Sequence, residues 1–143
     1  MLKNKLLLLV LFSFGTLASA ASIEGKWRTI DDKTHQAKSI VEIYRVGSTY
    51  SGRVVKLLPA ATAKLCYKCT GAAKNRPVEG MTILTGLKKT GPNLYDGGKL
   101  LDPESGNTYS GSAQVLNDGK SLSLRGYIGF KLFGRSQVWQ RVQ

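Results

Sequence analysis

The fold is decided by residues 107–128, which read NTYSGSAQVLNDGKSLSLRGYI. Two runs in this stretch alternate small or apolar residues with polar ones, which is typical of strands with one buried face. The residues predicted to face inward are Tyr109, Gly111, Ala113, Val115, Leu122, Leu124, Gly126 and Ile128. Between the runs, Asn117-Asp118-Gly119 tolerate positive φ, so the stretch predicts an antiparallel hairpin.

Similar short β-rich runs, separated by Gly, Asn and Pro, continue along the chain without helical periodicity. We predict eight strands, at Gly25–Ile30, Ser39–Val46, Thr49–Leu57, Met81–Leu87, Asn93–Leu101, Asn107–Leu116, Ser121–Ile128 and Ser136–Val142. Consecutive hairpins in a chain of this size most simply close on themselves, because closure removes exposed sheet edges. The expected fold is therefore all-β, a single antiparallel up-and-down β-barrel.

The first twenty residues have the pattern of a signal peptide. Lys3 and Lys5 precede an apolar run from Leu6 to Phe14, and Ala18-Ser19-Ala20 offers a cleavage site. The alternative, a transmembrane anchor, needs a longer apolar run of about 20 residues. We expect residues 1–20 to be removed, leaving residues 21–143 as one domain in the periplasm or outside the cell, without a transmembrane segment.

The chain is strongly basic, with a formal net charge of +12, or +10 without residues 1–20. Its basic residues are scattered, Lys88-Lys89 being the only adjacent pair, and no motif of a nucleic-acid module is present. Nucleic acid is therefore not an expected partner. Diffuse positive charge would attract anionic components of the cell envelope, although a solvated basic surface is the simpler explanation.

A long irregular segment from Leu58 to Gly80 carries both cysteines, Cys66 and Cys69. Export favours a disulfide between them. A thioredoxin-like redox site lacks a βαβ context, and a metal site lacks a set of four ligands, since His35 is the only histidine. Both remain weaker alternatives, while Thr70 in place of a histidine after Cys69 excludes haem attachment.

The remaining polar residues do not form a recognisable catalytic or metal-binding constellation. Asp31 and Asp32 could pair their carboxylates, and a second acidic turn could offer oxygens to calcium, but in both places the local sequence favours a simple turn. The first turn carries Asp31 and Asp32, and the second carries Asp102, Glu104 and Asn107. The apolar Phe130, Leu132 and Phe133 could form a hydrophobic plug, a rim at the barrel mouth or a tip that touches a membrane, and the plug is the simplest of these. No enzyme activity, cofactor or metal is expected.

Several segments together resemble the family of short secreted bacterial proteins called domain of unknown function 2147. They are residues 25–32 (GKWRTIDD), 38–41 (KSIV), 102–109 (DPESGNTY), 125–129 (RGYIG), 134–135 (GR) and 139–141 (WQR). The resemblance spans nearly all of residues 21–143 and implies a lipocalin-like β-barrel that binds a small molecule. His35 stands where that family tends to have Gly.

A second similarity concerns the two chain ends. Gly25-x-Trp27 with the late Arg141 is similar to the lipocalin closing signature, in which a guanidinium stacks on an indole and seals the barrel base. Trp27 and Arg141 are thus expected to close the barrel, with Trp139 in the core.

Two functions from different classes follow. The first is an exported carrier of an apolar or amphipathic, lipid-like molecule, because small interior residues in an eight-stranded barrel can leave space for one ligand. Its tentative site is Tyr109, Gly111, Ala113, Leu122, Leu124, Gly126 and Ile128. The second is a non-catalytic envelope interaction protein, in which larger side chains fill the barrel and the basic surface meets a partner.

Overall fold

The hairpin of residues 107–128 forms in the computed structural model, which describes residues 10–15, 21–129 and 134–143. Eight strands follow one another along the chain: β1 Gly25–Ile30, β2 Ala37–Val46, β3 Thr49–Leu57, β4 Thr82–Gly91, β5 Leu94–Leu101, β6 Thr108–Leu116, β7 Ser121–Tyr127 and β8 Gly134–Arg141. Two short 3-10 helices, Gly71–Ala73 and Asn117–Gly119, lie in connections.

Each strand pairs antiparallel with its neighbours in chain order, and β8 returns to β1 to close the barrel. The closing pair aligns Trp27 with Arg141 and Arg28 with Gln140. The predicted all-β, antiparallel up-and-down barrel is confirmed.

The predicted end of β4 at Leu87 was too early. The strand continues to Gly91, and its exposed Lys88 and Lys89 pair with Asp96 and Tyr95 of β5. Because both lysines are exposed at the end of the strand, they need no apolar character, and the apolar pattern in the sequence therefore stops before the strand ends.

The connections alternate between the two ends of the barrel, as antiparallel neighbours require. At one end, which we call the mouth, lie residues 31–36, 58–81, 102–107 and, in the connection after β7, residues 128–129. At the other end, which we call the base, lie the short connections 47–48, 92–93 and 117–120. The mouth thus carries the longer segments and the base the tight turns.

Large apolar side chains fill the base half. Ile23, Trp27, Leu87 and Leu122 are fully buried. The rings of Tyr50 and Tyr95 meet edge to face, with centroids 5.3 Å apart, a favoured geometry for aromatic pairs. The interior of this half is therefore packed with side chains.

Within the described parts of the chain, no helix has the length and apolarity needed to cross a bilayer. Most of the predicted signal sequence, residues 1–9 and 16–20, lies outside the described residues, and so do Phe130, Leu132 and Phe133.

Candidate ligand cavity and its mouth

A cavity of about 750 Å³ occupies the mouth half of the barrel. This volume lies within the range usual for sites that bind small molecules. Its wall is mainly apolar, formed by Val54, Leu57, Val78, Ile83, Leu100, Leu101, Leu124 and Trp139 among others. Space for one small ligand therefore exists between the packed base and the mouth.

Four of the seven residues proposed for the ligand site line this cavity. They are Tyr109, Leu124, Gly126 and Ile128. A Cβ added to Gly126 would lie 3.4 Å from the Cβ of Tyr109. Because Gly126 has no side chain, the space next to Tyr109 stays part of the cavity.

Gly111, Ala113 and Leu122 do not line this cavity, and their part in ligand binding stays a prediction. Each is nevertheless the cross-strand partner of a residue that lines the cavity: Gly111 lies opposite Gly126, Ala113 opposite Leu124, and Leu122 opposite Trp139. Ala113 is 5% exposed and pairs with Tyr95 and Leu124 of the neighbouring strands. The alternation identified the inward face correctly, but it does not tell which half of that face is filled by large side chains from other strands.

Hydroxyl groups interrupt the apolar wall at one place. Thr29 Oγ1 and Ser39 Oγ lie 2.9 Å apart, and the Ser39 amide donates to Thr29 Oγ1 over 3.1 Å. Both residues are buried and line the cavity. Because each hydroxyl already has a protein partner, the pair is satisfied without a ligand, yet its free lone pairs can meet a polar atom.

A charged cluster crosses the mouth from β2 to the connection between β5 and β6. Lys38 Nζ donates to both carboxylate oxygens of Glu104 at 2.9 Å and lies 3.2 Å from Asp31 Oδ2. Thr62 Oγ1 donates to Glu104 Oε1 at 2.7 Å. Three separate connections are thereby tied together above the cavity.

Hydrogen bonding sets the charge states of this cluster. The Thr34 amide, helped by Lys38, holds the pKa of Asp31 well below its ordinary value, although burial opposes the shift. Burial raises the pKa of Glu104, but hydrogen bonds from Lys38 and Thr62 outweigh it and leave the pKa lowered. Both carboxylates are therefore charged at neutral pH, opposite a protonated Lys38.

A second ion pair joins β8 to the connection after β1. The Arg135 guanidinium bonds to both carboxylate oxygens of Asp32, and Gln137 Nε2 donates to Asp32 Oδ1 at 3.4 Å. The hydrogen bond from Arg135 lowers the pKa of Asp32. Arg135 and Gln137 also line the cavity, so polar groups surround its opening on this side as well.

Residues 58–81, which we call the tongue, fold back over the mouth. Leu65 pairs with Pro77 in an isolated bridge, and the Cys66 amide donates to the Arg76 carbonyl at 2.8 Å. Ala61 and Ala63 line the cavity from above. The long irregular segment is thus an ordered part of the candidate site.

The cysteine sulfurs of the tongue lie at bonding distance, with the Cα atoms of Cys66 and Cys69 5.3 Å apart. Cys66 Sγ also lies 3.5 Å from the Pro103 carbonyl oxygen. Gly106, with φ +75°, packs so closely on the Lys68 carbonyl that a Cβ has no room there. The disulfide therefore shapes the tongue where the tongue rests on the turn between β5 and β6.

The acidic turns identified in the sequence are turns in the structure. Asp31 Oδ1 accepts hydrogen bonds from the amides of Lys33 and Thr34, and Asp102 Oδ1 accepts one from the Glu104 amide. His35 occupies a left-handed conformation with φ +59°. That conformation is easiest for glycine, which gives a physical reason for the glycine expected at this position.

The base is closed by the predicted pair. The guanidinium carbon of Arg141 lies 4.2 Å from the centre of the Trp27 ring, and Trp27 Nε1 donates to the Ile23 carbonyl at 2.9 Å. Trp139 is also buried, but it lines the cavity and donates to Gln137 Oε1 at 3.0 Å. The two tryptophans thus lie at different levels of the barrel.

The residues that frame the mouth were the ones missed from the sequence. Lys38 and Glu104 both lie in segments that resemble the family, and Glu104 was also a possible calcium ligand, but their contact joins positions 66 residues apart. Nothing in the local pattern of either residue indicates that pairing. In the described parts of the chain, no group of three His, Cys, Asp or Glu side chains is placed to hold a metal ion.

Comparison with known proteins agrees with the fold. The sequence profile of a family described as "uncharacterized protein conserved in bacteria (DUF2147)" matches residues 25–141. Protein HP1028 from Helicobacter pylori, described as belonging to the lipocalin family, has a similar structure with a TM-score of 0.76. The two chains share 21% identity, and the match covers 86% of this chain and 84% of HP1028. No curated protein matches the sequence.

Proposed function

This chain belongs to the bacterial family DUF2147, and we propose that it binds one small apolar or amphipathic molecule inside the barrel. The observation that carries this proposal is the cavity of about 750 Å³ in the mouth half. The site residues proposed are Tyr109, Leu124, Gly126, Ile128, Ala63 and Trp139.

The distribution of polar groups gives the ligand an orientation. The deep wall is apolar around Ile83, Leu124 and Trp139, whereas charged side chains surround the opening. An amphipathic molecule would bury its hydrocarbon part against the packed base, since burial of apolar surface is favourable by about 25 cal/mol per Å². Its polar end would remain near Lys38, Glu104 and Arg135.

The proposed role is carriage without catalysis, in the periplasm or outside the cell. Support for export comes from the signal-like residues 1–20, and a disulfide-bonded cysteine pair fits an oxidising compartment. The carrier would exchange its ligand through the mouth, since the opposite end is filled by Trp27 and Arg141.

Uptake of a fluorescent fatty acid tests the proposal, together with native mass spectrometry of the gently purified protein. Ala63→Trp places an indole in the cavity from the tongue and should abolish the fluorescence increase. Ala72→Trp introduces the same side chain on an exposed position of the same segment and should bind the probe like the parent.

Two results would overturn the proposal. One is a parent protein that remains empty by mass spectrometry and takes up no probe. The other is equal uptake by the parent and by a folded Ala63→Trp variant, which would place the bound probe outside the cavity. Either result would favour a non-catalytic envelope interaction protein.

A further inference from the structure

The tongue carries a local excess of positive charge at the mouth. Its cations are Lys64, Lys68, Lys74 and Arg76, against a single acid, Glu79. All four cationic residues are exposed. Within the described parts of the chain, none of the four forms an ion pair.

The acids near the mouth do not neutralise this charge. The side chain of Asp31 is 14% exposed and forms an ion pair with Lys38. The side chain of Asp32 is 25% exposed and forms an ion pair with Arg135. Glu79 Oε1 accepts a hydrogen bond from the Leu57 amide at 2.8 Å. Carboxylates at this end therefore serve internal contacts, whereas the four cationic residues of the tongue are exposed, with Lys74 Nζ and Arg76 Nε donating to backbone carbonyls of the tongue.

Apolar side chains are exposed beside these cations. Tyr67 lies between Lys64 and Lys68 in the tongue and is 57% exposed, and Ile128 at the cavity opening is 65% exposed. An exposed aromatic ring with a polar hydroxyl suits the boundary between water and hydrocarbon. Positive charge and apolar surface thus occur together at the end through which a ligand would pass.

From this arrangement we propose that the tongue docks the mouth of the barrel onto an anionic phospholipid surface. Lysine and arginine side chains near such a surface each contribute favourably, and the attraction weakens within a Debye length. Lys64, Lys68, Lys74 and Arg76 would meet lipid phosphates while Tyr67 enters the headgroup layer. Docking itself does not require a bound ligand; exchange of a lipid-like ligand with the membrane rests on the proposed function.

The shape of the tongue supports presentation of these side chains as a unit. The backbone bridge between Leu65 and Pro77 and the bond from the Val78 amide to the Lys64 carbonyl at 2.9 Å hold its two arms together. Lys74 Nζ donates to the Tyr67 carbonyl at 2.9 Å. The cations are therefore presented by an ordered hairpin, with less flexibility to lose on binding than a free loop would have.

Co-flotation of the purified protein with vesicles tests the proposal. Binding is measured to vesicles of phosphatidylglycerol with phosphatidylcholine and to vesicles of phosphatidylcholine alone, each at low and raised salt. We expect preference for the anionic vesicles, weakened by salt. Lys64→Gln with Lys68→Gln should lower the partition coefficient roughly 30-fold, and Tyr67→Ser should lower it without changing the dependence on salt.

The matched control removes the same charge at the other end of the barrel. Lys88 and Lys89 are exposed on β4 near the base, so Lys88→Gln with Lys89→Gln should change binding much less. Circular dichroism checks that each variant is folded. Ala63→Trp, which fills the cavity, should still bind the vesicles, so that failure of docking and failure of ligand binding are told apart.

The proposal is overturned if the parent binds both vesicle types equally, or if the two lysine pairs have equal effects, because the attraction would then reflect net charge alone. It is also overturned in favour of an acidic glycan if the protein binds soluble heparin but no vesicle.

Discussion

The Arg141 guanidinium stacks on the Trp27 ring at 4.2 Å while donating to three backbone carbonyls. Its nitrogens bond to Gly119 at 2.5 Å, Glu24 at 2.8 Å and Ser22 at 2.5 Å. One side chain therefore covers the base indole and ties the segment before β1 to the connection between β6 and β7. Gly25 accommodates it, because a Cβ there would lie 2.7 Å from Arg141 Nη1.

Removing this side chain should destabilise the barrel. Arg141→Ala is expected to lower the free energy of unfolding by about 2–4 kcal/mol, since charge-assisted hydrogen bonds and the cation–π contact are lost together. Arg141→Lys should recover less than half, because an ammonium lacks the planar fork that reaches several carbonyls. Urea denaturation measures both; Arg45→Ala, at an exposed hairpin, serves as the control. Full recovery by lysine would contradict the proposed importance of the fork.

A large side chain at Ala113 should affect stability rather than ligand uptake. Ala113 is buried and does not line the cavity, so Ala113→Phe is expected to cost roughly 1–3 kcal/mol through overpacking. Probe uptake per folded molecule should stay at the parent level. A stable Ala113→Phe protein that no longer binds the fluorescent fatty acid would show that the cavity extends towards the base.

Loss of the disulfide should loosen the tongue without unfolding the barrel. The loop closed by Cys66 and Cys69 is very short, so Cys66→Ala with Cys69→Ala should lower the free energy of unfolding by no more than about 2 kcal/mol. Proteolysis should then cut within residues 58–81 faster than in the parent. Alkylation of the parent protein without reductant tests whether its cysteines are free. Rapid labelling would contradict an intact disulfide.

Acid should weaken the charged cluster at the mouth. Hydrogen bonds lower the pKa of Asp31 from its ordinary 3.8. A carboxylate whose pKa is lower in the folded state stabilises the fold at pH values above its unfolded pKa. This contribution is lost as the pH falls below about 4. Asp31→Asn, which keeps an oxygen for the turn, should be less stable than the parent at neutral pH. The difference should shrink in acid. Denaturation curves across pH measure it, and a difference independent of pH would contradict the role of the charge.

Much of the architecture was predictable because the local sequence of a strand and its turn indicates their structure. Alternation marked the inward faces of β6 and β7, and positive-φ residues such as Asn117 and Asp118 marked their turn. The pairing of Trp27 with Arg141 was anticipated from a family signature. The two partners of the disulfide could be named without structural information, since Cys66 and Cys69 are the two cysteines of the chain.

The position of the cavity along the barrel axis was not predictable in the same way. Whether Ala113 lies beside empty space depends on Tyr95 and Leu124 of adjacent strands, and alternation in one strand says nothing about bulk in another. The mouth cluster depends similarly on the contact of Lys38 with Glu104. Both features arise from tertiary packing between distant parts of the chain.

The alternation of connections between the two ends of the barrel has a consequence for how such proteins can diversify. Insertions or sequence changes in residues 31–36, 58–81 and 102–107 alter the mouth end, whereas Trp27 and Arg141 form their seal at the base. Such changes would leave the contacts of the base seal in place. A designer could graft new loops onto the open rim of this scaffold and retain the registration of all eight strands.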